Sequence, residues 1–421
     1  MLKLMLMTLA SRLTTAVVNF GTIMLLSRKL GPEGKGFATL MLVIVISVQL
    51  ICDFMGGAAM VYLAPRYRLR NILIPAWSWT AFWSLLAPPV VLLIRPDLYE
   101  YYGLHIAGLS FLNAAMNQQL HLLNGREKYN QVNALNLMTA LLVVSSLAWF
   151  IWYNPKPIHY VYALYAGWLP SLIISTLILW QLPKTGDSVS ILKSLRSLLT
   201  YSSANQFGHL LQFSSQRIAF FLLPVYSLGI YSNAVSLAEA MWMLSTSIAT
   251  IQYGTIANSN SRQEAIRLTL PLFRASILVT SAAGLILLML PEAVFGVLFG
   301  PAFTGVKTSM VILMPGVIAI SGYLILGHYF SGTGQFMKNN RAIASGLVVT
   351  LTGFLLLYLL HGKQIADTQA AMVTTCANLA TFFSVIWLFK SDSGIAITEL
   401  LPRLSDLKTL INRIKRKVKN S

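Results

Sequence analysis

Twelve apolar runs of membrane-spanning length take up most of this chain of 421 residues and leave little sequence for anything else. An α-helix rises 1.5 Å per residue, so a bilayer core about 30 Å thick takes about 20 residues. The runs fall at about 5–26, 37–63, 72–94, 102–123, 132–153, 158–182, 201–223, 231–256, 271–290, 309–331, 342–360 and 366–389. Hydrophobic residues make up 56% of the chain and charged residues 10%, where a soluble domain carries about 25% charged. The fold class read from this is an all-α polytopic membrane protein with about 12 transmembrane helices. The run at 102–123 is the least apolar, holding His105, Asn113, Asn117, Gln118, Gln119 and His121. Treating it as a surface helix would make the count odd and break the charge pattern, so it is counted as a span.

That pattern sets the orientation. With the N-terminus inside, the inner segments, counting Arg274 at the inner end of its span, hold 22 of the 31 Lys and Arg, the outer segments hold seven, and Arg12 and Arg217 lie within spans. Positive charge collects on the cytoplasmic side, so both termini are expected there (N-in/C-in). The net charge of +18 then needs no nucleic acid as partner, because topology and attraction to anionic membrane lipids account for it. The densest basic cluster is Arg413, Lys415, Arg416, Lys417 and Lys419, with Leu400, Leu401, Leu404, Leu407, Ile411, Ile414 and Val418 at helical spacing. A basic amphipathic helix on the inner leaflet is expected at 390–421; a solvated tail and a partner-docking helix are the other readings. Cys52 and Cys376 lie in spans and read as packing residues rather than a disulfide. The first apolar run continues to Leu26 without a small-residue cleavage site, so it is read as a span and not a cleavable signal peptide.

The connection at 183–200 divides the chain into an N-terminal six-helix bundle, 1–190, and a C-terminal one, 191–389, followed by the tail. An even number of spans in each half makes a repeat between them parallel, with its axis along the membrane normal. Each half opens on a polar stripe. The first is Thr8, Arg12, Thr15 and Asn19; the second is Asn205, His209, Gln212 and Gln216, with Arg217 beside it. Both run i, i+4, i+7, i+11, which is one face of a helix. Further stripes are Ser232, Ser236, Glu239, Thr246 and Thr250 in the eighth span, and Ser110, Asn113, Asn117, His121 and Asn124 in the fourth. Gln49 and Asp53 stand one turn apart in the second. Polar residues also glue membrane helices together. Several stripes carrying charges of both signs point instead to a hydrated interior, with the two opening stripes as its candidate walls. A cation at mid-bilayer costs at least about 2.5–3.5 kcal/mol, and one that faces water there invites an anion.

Three local patterns carry a family resemblance. Leu26-Ser27-Arg28-Lys29-Leu30-Gly31-Pro32-Glu33-Gly34-Lys35-Gly36 joins the first two spans. Gly229-Ile230-Tyr231-Ser232-Asn233-Ala234-Val235-Ser236-Leu237-Ala238-Glu239 opens the eighth. Leu298-Phe299-Gly300-Pro301-Ala302-Phe303 sits between the ninth and tenth. In this order the chain closely resembles, over nearly its whole length, the bacterial polysaccharide transporters of the O-antigen flippase type, within the multidrug/oligosaccharidyl-lipid/polysaccharide exporter superfamily. The resemblance implies two six-helix bundles facing each other across a central cavity, and alternating access. It implies passage of a polyprenyl-diphosphate-linked oligosaccharide across the bacterial inner membrane, and other polysaccharide-assembly proteins as partners. Such sequences often carry an acidic residue two positions after the seventh-span Arg. Here that position is Ala219, which weakens the transfer of an ion-pair role to Arg217.

A lipid-linked diphosphate cannot cross hydrocarbon without polar company. Arg12 and Arg217 suit phosphate oxygens through fork-shaped, charge-assisted hydrogen bonds, and a protonated His209 would join them. Asn19, Asn205, Gln212 and Gln216 suit sugar hydroxyls. For both arginines, snorkelling to the headgroups is the other reading, and for His209 it is neutral packing. Asp53 and Glu239 are candidates for ion coupling, or else neutralise an arginine or cap helix packing. No phosphate-binding loop, metal-ligand set or nucleophile–base constellation stands out, so neither enzyme chemistry nor a cofactor is expected. Two competitors remain: a drug/cation antiporter of the same superfamily, which would favour an acidic cavity, and a membrane-embedded polysaccharide polymerase, which would be expected to carry a large polar periplasmic loop.

Overall fold

In the computed structural model, which describes residues 2–401 apart from 184–185, 258–260 and 363, the chain is almost wholly helical. Helix α1 (Leu2–Cys52) carries the first span and most of the second. Its two halves are separated at Gly31, whose φ of 67° and ψ of −177° are not helical. Glycine takes a positive φ at little cost, and Pro32 opens the second half where its missing N–H is not needed. The second span is not one unbroken helix. A single 3-10 turn, Asp53–Met55, interrupts it before α2 (Gly57–Leu63) resumes. The break falls where Gly56 and Gly57 follow Asp53, and Gly57 takes a φ of 51°.

The remaining helices are α3 (Leu69–Ile94), α4 (Pro96–Gly125), α5 (Tyr129–Tyr153), α6 (Ile158–Gln181), α7 (Ile191–Leu222), α8 (Val225–Ala257), α9 (Arg262–Met289), α10 (Glu292–Phe299), α11 (Val306–Gly332), α12 (Phe336–His361) and α13 (Asp367–Ser393). Each expected span coincides with helix, and α10 is a short addition between the ninth and tenth. Among the described residues, eight helical segments are long and apolar enough to cross a membrane on length and composition alone. Helices α4, α7 and α8, each with a polar stripe, fall outside that set, as does the short α10; most of α1, which also carries a stripe, falls within it. Helix α4 is no surface helix: Leu98, Ile106, Leu109, Ala114, Gln118 and Gln119 along it are all fully buried.

The chain forms two compact units, residues 1–210 with 298–300 and residues 211–297 with 301–421, dividing within α7. The same pairing scheme organises each. In the first unit the fourth span, α4, packs on α3, α6 and the helices of the second span, while α5 packs on α6 and on α1. In the second unit the fourth span, α11, packs on α8, α9 and α13, and α12 packs on α13. Close approach makes these seams. A Cβ on Gly346 of α12 would lie 2.0 Å from Thr381 Oγ1 and 2.8 Å from the Ala377 carbonyl oxygen of α13.

Segments that the charge count puts on one side of the membrane meet one another within each unit. On the inner side of the first unit, the Arg68 N–H donates to the Asp187 carbonyl (3.1 Å), Asn71 Nδ2 to that of Val189 (2.7 Å), and Ser11 Oγ to that of Asn133 (3.4 Å). On its outer side, the Lys29 ammonium lies 5.8 Å from the centre of the Trp152 ring. On the inner side of the second unit, three segments converge on Asp392, whose side chain is 2% exposed. Arg262 pairs with it at 2.6 Å, Lys338 also pairs with it, and the Tyr329 hydroxyl donates to it at 2.9 Å. Asp392 lies beyond the last predicted span. Burial opposes its charge, but the bonds from Lys338, Tyr329 and Arg262 outweigh that and hold its carboxyl below the usual carboxylate range. Just beyond, Arg274 Nε donates to the Glu399 carbonyl (2.7 Å) and Leu400 is buried among the helices of this unit. The rest of the expected basic tail, 402–421, lies outside the described residues.

Candidate functional site

Each unit presents its own polar constellation. In the first, the break at Asp53–Met55 opens backbone carbonyls to side-chain donors, the Asp53 carbonyl also accepting the Gly56 N–H at 3.0 Å. Side chains from other helices take them up. Gln206 Nε2 of α7 donates to the Leu50 carbonyl (2.8 Å), Trp79 Nε1 of α3 to that of Ile51 (3.2 Å), and Ser202 Oγ of α7 to that of Asp53 (2.7 Å). The Asp53 side chain is buried, its Oδ1 has no hydrogen-bond partner, and Gln49 lies within hydrogen-bonding reach of the carboxylate. Gln49 Oε1 in turn accepts from Asn113 Nδ2 (2.6 Å), and Asn117 Nδ2 donates back to the Asn113 carbonyl (2.8 Å). Asn113 of the α4 stripe thus meets the second half of α1, with Asn117 bonded to it.

In the second unit, Arg217 of α7 forms an ion pair with Glu239 of α8. Its guanidinium carbon also lies 4.8 Å from the centre of the Phe220 ring. Phe220 stands edge-on to Tyr231 (5.6 Å), whose hydroxyl shares a 2.8 Å hydrogen bond with Thr374 Oγ1 of α13. Two residues before Arg217 on α7, Ser215 Oγ and Thr350 Oγ1 of α12 are 3.1 Å apart. The pair is not sealed: the Arg217 and Glu239 side chains are 18% and 34% exposed. Arginine carries five donors, so an ion pair with one carboxylate leaves donors for other acceptors.

The predicted site residues fall into three groups. Arg217 with Glu239, and Asp53 with Gln49, are brought together. Asn19, Asn205 and His209 are exposed on their helices, and Gln212 and Gln216 are half-buried. A polar side chain turned to hydrocarbon costs several kcal/mol, so exposed positions of this kind on membrane-length helices are suited to water and polar cargo. Arg12 holds its place in the helical register of α1, but its side chain, like those of Thr8 and Thr250, lies outside the described residues. Among the contributors not singled out from the sequence are Ser202 and Gln206. They stand at i, i+4 on α7 beside Asn205 and His209, so a second polar row on that helix was their signal.

No protein-family model matches this sequence, and no curated protein matches it. Solved structures match it over nearly its whole length. Lipid II flippase MurJ in an inward closed conformation superposes with a TM-score of 0.73 at 10% identity, covering 96% of this chain and 92% of that one. An inward-facing multidrug resistance MATE family transporter of the MOP superfamily gives 0.66 at 13% identity, covering 90% and 95%. A MOP superfamily transporter from Pyrococcus furiosus gives 0.61 at 14% identity, covering 92% and 94%. At such identities the likeness speaks for the fold alone, and this multi-pass membrane chain has the fold of the MOP superfamily transporters.

Proposed function

We propose that this protein is a flippase for a polyprenyl-diphosphate-linked oligosaccharide, a repeat unit of O-antigen or another surface polysaccharide, acting by alternating access in the bacterial inner membrane. The observation that carries the reading is the face of α7. Exposed Asn205 and His209 and half-buried Gln212 and Gln216 lead along one helix to Arg217, which keeps donors beyond those its partner Glu239 takes. Arg12 and Asn19 form the corresponding stripe of α1. Amides suit sugar hydroxyls, and guanidinium, joined by a protonated His209, suits a diphosphate. The lipid tail needs no site, because it stays in the bilayer.

A drug/cation antiporter of the same fold is the second reading, supported by the MATE structures among the matches. It calls for acidic groups open to a cation. The two intramembrane acids speak against it, since Asp53 is buried and Glu239 is held by Arg217. The readings separate in a strain lacking the protein. The flippase reading expects lipid-linked sugar to accumulate on the cytoplasmic side while drug efflux is unchanged. Impaired drug efflux with normal surface polysaccharide would overturn it.

A further inference from the structure

A second chemistry resides where the second span breaks. Asp53 is 7% exposed and Gln118 of α4 is fully buried. Asp53 Oδ1 and Gln118 Oε1 are both buried acceptors that receive no hydrogen bond. The two side chains border one glycine: a Cβ on Gly56 would lie 2.8 Å from Asp53 Oδ1 and 3.4 Å from Gln118 Cγ. The other end of Gln118 is fixed, since its Nε2 donates to Thr80 Oγ1 at 2.8 Å, and this orients Oε1 as the acceptor. Two buried acceptors without a donor are unfavourable in an apolar interior, because each has given up water without a replacement.

We infer that Asp53 is a proton site, holding one proton on Oδ1 when the break is packed as seen here and donating it toward Gln118 Oε1. One proton supplies the donor both oxygens lack. It comes from water and returns to water, and no other bond changes. The groups that face Asp53 support a proton over a charge pair. They are Gln49 and the thiol of Cys52 from α1, Gln118 from α4, whose amide is held by Thr80 of α3, and Ser202 from α7, which bonds the Asp53 backbone carbonyl. Among the described residues no Lys, Arg or His forms an ion pair with Asp53. A buried carboxylate without a counter-charge is neutralised rather than left ionised. A metal ion would need several oxygens, and the carbonyls of Leu50, Ile51 and Asp53 are already engaged by Gln206, Trp79 and Ser202. Loss of the proton would leave a bare charge against the same joint that Ser202 and Gln206 fasten, so ionisation favours loosening the hold of α7 on the broken span. This gives the proposed transporter a place for coupling, but the site stands on its own geometry.

The test uses purified full-length protein in lipid nanodiscs, without cargo. Dicyclohexylcarbodiimide attacks protonated buried carboxyls, and peptide mass spectrometry locates the adduct. Labelling of Asp53 is expected to fall about tenfold per pH unit above its midpoint, with the same profile in sodium and in choline chloride. Asp53→Asn, an isostere of the protonated acid, is expected to lose the adduct while eluting as a folded protein. If that variant fails to fold, the wild-type profile decides alone. Labelling independent of pH, or suppressed by sodium at constant pH, would overturn the proton site. Neither result bears on what cargo is carried, so this inference and the flippase reading fail separately.

Discussion

The ion pair between Arg217 and Glu239 can be taken apart one charge at a time. Two unit charges about 4 Å apart interact by about 4 kcal/mol at an effective dielectric constant of about 20. With side chains 18% and 34% exposed, solvent screening brings that down to about 2 kcal/mol. Arg217→Ala also takes the guanidinium away from Phe220, 4.8 Å off, which adds about 0.5–1 kcal/mol. The expected losses are therefore about 2–3 kcal/mol for Arg217→Ala and about 2 for Glu239→Gln. The double variant should also lose only about 2–3, leaving a coupling energy near 2 kcal/mol. Equilibrium unfolding in mixed micelles, titrated with denaturing detergent, measures all four corners. Export of surface polysaccharide is read in the same strains. Reversing the pair, with Arg217→Glu and Glu239→Arg together, should recover most of the stability and none of the export, because the cation then stands on α8 instead of α7. A coupling below about 0.5 kcal/mol would refute the pair as drawn. Full export from the reversed pair would refute a role for Arg217 in holding the anionic cargo.

Four further predictions each rest on a particular feature. Gly346→Ala pushes a methyl to 2.0 Å from Thr381 Oγ1 and 2.8 Å from a backbone carbonyl, an overpacking worth about 1–3 kcal/mol; adding Thr381→Ala should return only part of the loss, as read by the same unfolding titration. Asp392→Asn removes the carboxylate that Arg262 and Lys338 share, so limited proteolysis should cut near 394–401 in the variant and spare the wild type. The pH dependence has a definite sign: the Asp392 carboxyl is held below its usual range, so its contribution is complete above about pH 4 and is lost as pH falls through the lowered value. Wild-type protection against an acid protease should thus survive mild acid and fail only in strong acid. For topology, cysteines placed at Lys156 and at Lys193 should differ, with an impermeant maleimide reaching the first in intact spheroplasts and the second only after lysis.

How much was legible in advance depended on the kind of signal. The spans and their alternation were legible because hydrophobic length and Lys/Arg placement act over whole segments. The Gly31-Pro32 turn and the buried course of α4 could be read in the same way. The break at Asp53 was not, because the run from 37 to 63 stays apolar on average through it, and only the Gly56-Gly57 pair marked it locally. The partnership of Arg217 was half legible. Both it and Glu239 stood out as charges in apolar helices, yet they are 22 positions apart, and only packing α7 against α8 brings them together. An acid on the neighbouring helix thus does what an acid two positions away, at Ala219, would have been expected to do. The stripe on α7 was legible as a helical face, but Ser202 and Gln206 on the adjoining row were missed, because their partners are backbone carbonyls that become acceptors only once the second span breaks.

The central claim is that polar and cationic stripes on α1 and α7 carry a lipid-linked, diphosphate-bearing sugar. Its most direct test is transbilayer movement of a polyprenyl-diphosphate-linked oligosaccharide in proteoliposomes, read by enzymatic access to the sugar from outside. The wild-type protein should accelerate that movement well above protein-free vesicles, and Arg12→Ala with Arg217→Ala should abolish the acceleration while reconstituting to the same level. Equal movement by the double variant, or drug transport in place of sugar movement by the wild type, would contradict the account.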